Sequence, residues 1–72
     1  MSAEPEKVPI AGDMIRLGQL LKLAGLADSG GEARDLVTGG AVRVNGEVET
    51  RRGRQLHRGD VVNCGAQAVR IV

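Results

Sequence analysis

The stretch from Val42 to Leu56, VRVNGEVETRRGRQL, contains the strongest local signals in the chain. Valines alternate with Arg43 at its start, a period of two that is typical of a half-buried β-strand. Asn45-Gly46 comes next, and this dipeptide favours a tight hairpin turn because both of its positions tolerate positive φ angles. We therefore predict a β-hairpin in which Val48, flanked by two glutamates, supplies the apolar face of the second strand.

The register of this hairpin is open to two interpretations. A two-residue turn sets Val44 opposite Glu47, whereas burial favours Val44 beside Val48. A β-bulge or a longer loop would bring the two valines together. The direction in which Arg43 points depends on which of these holds.

A first amphipathic helix is predicted before the hairpin, over LGQLLKLAG. Its apolar residues fall at positions 17, 20, 21 and 24, the spacing of one helical face. Gly25 is a plausible end for this helix. Its start has two solutions, because Asp13 could cap a longer helix whereas Gly18 favours a shorter one.

A second helix is predicted to start after Ser29. Ser29 and Glu32 fit a capping box, in which the serine oxygen accepts from the Glu32 N–H and the glutamate side chain returns to the Ser29 N–H. Ala33, Leu36 and Val37 form its apolar face. Gly39-Gly40 are expected to end it with positive φ angles.

The remaining sequence predicts short strands separated by turns. A turn is expected at residues 58–60, a strand with Cys64 as a small buried residue after it, a turn at Gly65, and a last strand over residues 69–72. The predicted fold class is α+β, two short helices packed on a small, mainly antiparallel sheet. Residues 11–72 are expected to form a single domain, after an N-terminal tail over residues 1–10 that leads into a short extended piece at residues 8–10.

Composition excludes several classes of function. The chain has 72 residues and no Phe, Tyr or Trp, so it cannot bind single strands by stacking bases on aromatic rings. His57 and Cys64 are each the only residue of their type, so no catalytic pair or metal site is predicted. Neither a signal peptide nor a membrane span is found, and we expect a soluble cytoplasmic protein without a cofactor.

Charge is distributed unevenly along the chain. The net charge is +1, yet residues 43–72 hold six arginines against three acids, and residues 51–58 hold four arginines and no acid. One interpretation is a loop kept in solution by its charges. The other is a binding site for a polyanion, since clustered like charges repel and arginine makes bidentate contacts to phosphate.

The order of these elements resembles the S-four RNA-binding domain, also called the alpha-L RNA-binding motif. The likeness covers about residues 15–62, and its landmarks are Arg16-Leu17, Gly25, Ser29, Ala33, Leu36, Gly40, Val42, Val44-Asn45-Gly46 and Gly59-Asp60-Val61. The runs LLKLAGLADSGGEA and VNGEVETRRGR are similar to the small stand-alone bacterial members, the YbcJ-like proteins. The chain departs from the common pattern at Gly18 and Gly30, where many members have Asp and Arg.

This resemblance implies a module that binds structured RNA through the two helices and the adjoining hairpin. We expect a non-catalytic monomer that recognises structured or double-stranded RNA, ribosomal or tRNA-like, through a basic surface. It is the resemblance, together with the arginine cluster, that nominates the RNA-binding residues: Arg16, Gln19, Lys22, Ser29, Arg34, Arg43, Asn45, Arg51, Arg52 and Arg54. The alternative is a protein-interaction adaptor associated with the ribosome or with an RNA-processing assembly, whose arginines meet an acidic protein face.

Overall fold

A computed structural model describes residues 4–72 and contains seven short strands and two helices within that range. The elements in chain order are β1 (Glu6–Val8), β2 (Ile15–Arg16), α1 (Leu17–Leu23), α2 (Gly30–Thr38), β3 (Val42–Val44), β4 (Glu47–Val48), β5 (Gln55–Leu56), β6 (Val61–Cys64) and β7 (Gln67–Ile71). No helix among these residues is long and apolar enough to cross a bilayer.

The strands form one main sheet and one small sheet. The main sheet has the order β1-β7-β6-β3-β4, and β2 pairs with β5 in the second. Only the β1–β7 pairing is parallel; the others are antiparallel. The predicted α+β class with a mainly antiparallel sheet is confirmed.

The core lies between the two helices and one face of the main sheet. Three leucines of α1, at positions 17, 20 and 21, are fully buried with Ala33 and Val37 of α2. They belong to one cluster with sheet residues that alternate along β3, β6 and β7, among them Val42, Val62 and Ile71. Burial of each large aliphatic side chain contributes about 1.5–3 kcal/mol, so this layer accounts for much of the stability of a small domain.

Both helices begin and end close to the predicted residues. α1 starts at Leu17, so the shorter of the two expected helices forms, and Gly25 follows it with φ +75°. The Ser29 oxygen caps α2, accepting from the Glu32 N–H at 3.1 Å, but the Glu32 carboxylate accepts from Asp28 (3.4 Å) instead of Ser29. The expectation of two left-handed glycines was also wrong, since Gly39 has φ −78° and only Gly40 turns left, at +80°.

The hairpin closes with the two-residue turn. Asn45 and Gly46 have φ angles of +51° and +88°, and Val44 lies opposite Glu47. The bulge or longer loop that would have joined the two valines is therefore wrong, because the turn itself sets the register. Val48 is 49 % exposed as a result, and Glu49, on the face of Val42, is only 6 % exposed.

The ends of the chain agree in outline with the prediction. Gly59 and Gly65 provide the two expected turns, with positive φ angles, and β7 occupies the last predicted strand. Cys64 is half-buried and not fully buried. The extended piece expected at residues 8–10 is instead β1 at Glu6–Val8, and residues 1–3 of the predicted tail lie outside the described residues.

Candidate nucleic-acid interface

Residues 51–54, here called the arginine loop, are fixed against the start of α1 by hydrogen bonds to three consecutive carbonyl groups. The N–H of Leu17 donates to the Arg54 carbonyl and the N–H of Gly18 to the Arg52 carbonyl, both at 2.9 Å. The Arg16 guanidinium donates to the Gly53 carbonyl at 2.9 Å. The first N–H groups of a helix have no partner within it, so the loop supplies the missing acceptors and is held in place.

Gly18 allows Arg52 to lie across the first turn of α1. A Cβ atom at position 18 would lie 2.5 Å from the Arg52 Cγ and 3.6 Å from the Arg52 carbonyl oxygen. Real Cβ atoms do not approach another atom as closely as 2.5 Å. Gly18 is also buried, although it lies in the first turn of α1. The aliphatic part of Arg52 therefore packs on the helix, which restricts where its guanidinium can reach.

Three cations converge around a depression of about 290 Å³ between the two helices and the arginine loop. We call Arg16, Lys22 and Arg52 the helix-side basic surface. The lining is completed by Gly18, Gln19, Gly30, Ala33 and Gly53. Within residues 4–72 no carboxylate lies within 4 Å of these three cations. A second depression, of about 500 Å³, continues past Arg16 to Arg51, Arg54 and Gln55.

Glu49 neutralises the other two arginines of the loop. One carboxylate oxygen accepts from the Arg51 Nε at 3.2 Å and the other from the Arg54 Nη1 at 2.9 Å. Hydrogen bonds from the Arg51 side chain, then from Arg54 and from the Arg51 N–H, lower the pKa of Glu49 from 4.5 to about 2. Residues 51–58 contain no acid, as the sequence shows, but Glu49 two residues before Arg51 supplies the acidic partner from outside that range.

Neither of the two residues predicted at α2, Ser29 and Arg34, belongs to the lining of the depression. Ser29 directly precedes Gly30, and its oxygen is engaged in the helix cap. Arg34 is exposed and lies 3.7 Å from the Asp35 carboxylate. Gln19 accepts from the Arg16 N–H at a long 3.5 Å, which helps to start α1.

The two predicted hairpin residues lie apart from the depression. The Asn45 amide donates to the Asp60 carboxylate at 3.1 Å and accepts from the Val61 N–H at 3.0 Å, so both of its ends tie the hairpin to the following turn. Burial opposes ionisation of Asp60, but hydrogen bonds from the His57 N–H and from Asn45 lower its pKa. Arg43 points away from the buried Val42 and Val44, to the other face of the sheet.

The structure thus brings six of the ten predicted residues to two adjoining depressions: Arg16, Gln19, Lys22, Arg51, Arg52 and Arg54. Sequence reasoning missed the roles of Glu49, Gly18 and the Gly53 carbonyl. A signal for Glu49 was present, because the register of a two-residue Asn-Gly turn places it beside Val42. Nothing in the sequence shows that Gly18 meets Arg52, 34 positions later.

Residues 8–72 match the S4 domain family. The chain belongs to this family. The resemblance predicted from the landmark residues is confirmed, and the match extends beyond residues 15–62 to the last strand.

The relatives of this chain are small proteins that are similar to it over most of their length. "Probable ribosome maturation protein RlbA" of Bacillus subtilis (strain 168) is 49 % identical over 55 residues, which cover 76 % of this chain and 78 % of the relative. "Putative RNA-binding protein YbcJ" of Escherichia coli (strain K12) is 36 % identical over 58 residues, covering 81 % of this chain and 83 % of the relative.

A solved structure shares the fold. The 30S ribosomal protein S4e of Thermoplasma acidophilum superimposes with a TM-score of 0.66 at 21 % identity. The match covers 86 % of this S4 domain protein and 33 % of the ribosomal protein. At this identity the likeness shows the architecture alone.

Proposed function

We propose that this protein binds structured or double-stranded RNA without catalysing a reaction, through the helix-side basic surface. The convergence of Arg16, Lys22 and Arg52 around one depression, with no carboxylate among residues 4–72 near them, carries the proposal. Membership of the S4 domain family and the names of the two relatives support it. The Bacillus subtilis relative is named a probable ribosome maturation protein, and we propose ribosomal RNA as the target and the cytoplasm as the location.

The chemistry of this surface suits phosphate groups more than bases. Guanidinium groups bind phosphate oxygens in pairs, and no aromatic ring in the chain offers a stacking platform. The hydrogen bonds that hold the arginine loop on α1 fix the spacing of Arg16 and Arg52. A fixed spacing of cations selects a backbone of matching shape, which is how double-stranded RNA is recognised. We propose that the protein does this as a monomer.

The test is a titration of the purified protein with a short RNA duplex over a range of salt concentrations. Three to five neutralised phosphates give a log–log slope of roughly −3 to −4.5. We expect saturable binding with a slope in this range. Absence of binding at low salt would refute the proposal.

A protein-interaction adaptor is the second candidate, favoured by an apolar depression of about 500 Å³ on another side of α1. Met14 and Leu23, which line it, are 38 % and 57 % exposed. Replacing Leu23 with Gln tests this function. If the protein is an adaptor, a protein that co-purifies with wild type after nuclease treatment should be lost from the Leu23→Gln variant, while RNA binding is unchanged. Recovery of the same proteins with wild type and variant would refute this function.

A further inference from the structure

The main sheet has a second face that neither helix covers. Its inner face carries the buried Val42, Val69 and Ile71, on which the helices pack. Residues that alternate with these point outward, and three of them are cations: Lys7 on β1, Arg43 on β3 and Arg70 on β7. We call these three the sheet-face cations. They lie on the opposite side of the sheet from α1 and the arginine loop.

The strand register places two of the sheet-face cations directly opposite each other. Lys7 and Arg70 are Cα partners on adjacent strands, about 5 Å apart in the sheet. Like charges in this position destabilise a sheet. In residues 4–72 no carboxylate lies within 4 Å of Lys7, Arg70 or Arg43 to compensate.

Arg43 extends the charge across the sheet. It lies two strands from Arg70, and its register partners Asn63 and Val48 are uncharged, as is Ala68, the partner of Asn63 on β7. The strand spacing puts Arg43 and Arg70 on the order of 10–12 Å apart. Arg43 donates to the Gly46 carbonyl at 3.3 Å, and its guanidinium retains further donors for an anion.

We propose that the sheet-face cations form a second binding surface, for the phosphate backbone of a second RNA segment. Cations spread over three strands of an open face, with no carboxylate within 4 Å among residues 4–72 and no aromatic ring in the chain, complement a polyanionic backbone and offer nothing for stacked bases. Because the helix-side basic surface lies on the other side of the sheet, one straight duplex cannot contact both. The protein therefore bridges two RNA segments. The choice of RNA as the polyanion rests on the proposed function, whereas the existence of the second surface rests on the sheet alone.

The experiment is a titration of the isotope-labelled full chain with a short RNA duplex, followed through backbone amide chemical shifts. We expect two sets of shifts: one in α1 and the arginine loop at the first equivalent of duplex, the other around Arg43, Asn63 and Arg70 at the second equivalent. Shifts confined to the helix side through saturation would overturn the second surface and leave the proposed function standing. Shifts confined to the sheet face would overturn the proposed function of the helix-side basic surface and leave the sheet-face surface standing. Absence of any shifts would overturn both proposals.

A variant assigns the second set of shifts to the cations themselves. In Lys7→Gln/Arg43→Gln/Arg70→Gln we expect the sheet-face shifts to disappear while the helix-side shifts remain. In wild type, three phosphate contacts at this surface require the affinity for the second duplex to fall by up to about 40-fold between 50 and 200 mM salt. Sheet-face shifts that persist in the variant, or that poly-glutamate produces and RNA does not, would overturn the proposal.

Discussion

At the scale of single residues, Glu49 distinguishes the arginines of the arginine loop, because two of them are paired with its carboxylate and one is not. It is buried, and it holds Arg51 and Arg54 through both of its oxygens. Arg52 has no such partner among residues 4–72 and lies over Gly18 at the depression. One adjacent pair of arginines therefore contains one structural and one available cation.

Replacing Glu49 with Gln is expected to destabilise the protein at neutral pH and much less in acid. The folded-state pKa of Glu49, about 2, is below its ordinary value of 4.5, so its ionised form contributes stability above pH 4.5. That contribution is lost as the pH falls from 4.5 towards 2. Urea unfolding of wild type and variant at pH 7 and near pH 2 measures the change.

Glu47→Gln is the matched control, because Glu47 is an exposed glutamate on β4, two residues before Glu49. It is expected to unfold like wild type at both pH values. A stability difference for Glu49→Gln that does not change between pH 7 and pH 2 would contradict the ion-pair account.

Replacing Gly18 with Ala is expected to weaken RNA binding about as much as Arg52→Gln does. The new methyl group needs the space that the Arg52 side chain occupies, so the guanidinium is displaced. Because both changes remove the same guanidinium contact, the double variant Gly18→Ala/Arg52→Gln should bind RNA little more weakly than either single variant. A double-mutant cycle measures this.

Gly31→Ala provides the control on α2, outside the lining of the depression. Its Cβ would meet only the Ser29 hydroxyl oxygen, at 3.9 Å, so Arg52 keeps its place and RNA affinity should be unchanged. Additive losses from Gly18→Ala and Arg52→Gln would show that the two residues act independently.

At the scale of elements, the hairpin and the turn at residues 57–61 form one unit through Asn45. Replacing Asn45 with Ala removes two side-chain hydrogen bonds. It also leaves, at a φ angle of +51°, a residue that has a Cβ atom but no polar group to bond with the backbone. We expect a loss of about 2 kcal/mol in the free energy of unfolding. Asn45→Gly, which tolerates the turn, should lose about 1 kcal/mol. Equal urea midpoints for all three proteins would contradict this role.

Local signals predicted the elements well, and contacts between distant residues were harder to predict. The helix periods, the Ser29 cap and the Asn-Gly turn act within a few residues, and the structure contains all three. The apolar side chain of Val48 suggested that Val48 is buried, but the register of the two-residue turn exposes it and buries Glu49 instead. The attachment of the arginine loop to α1 depends on backbone carbonyls, which no residue type encodes.

At the scale of the whole molecule, the sheet separates two basic surfaces. The likeness to the family nominates Arg43 together with Arg16 and Lys22, because it identifies residues and not the faces on which they lie. The two-residue turn settles the direction of Arg43, which points away from the helices. The register then places Arg70 on the same face, because Arg43 pairs with Asn63, Asn63 pairs with Ala68, and Arg70 lies two residues after Ala68. Lys7 is the Cα partner of Arg70 and shares that face.

The most direct measurement of the central claim compares two triple variants in their affinity for the first RNA duplex. Arg16→Gln/Lys22→Gln/Arg52→Gln and Lys7→Gln/Arg43→Gln/Arg70→Gln remove the same charge from opposite sides of the sheet. We predict that the helix-side variant binds the first duplex far more weakly, with a log–log salt slope flatter by up to about 2.7. The sheet-face variant should bind it nearly as wild type does. Equal affinities of the two variants would contradict the assignment of the primary RNA site to the helix-side basic surface.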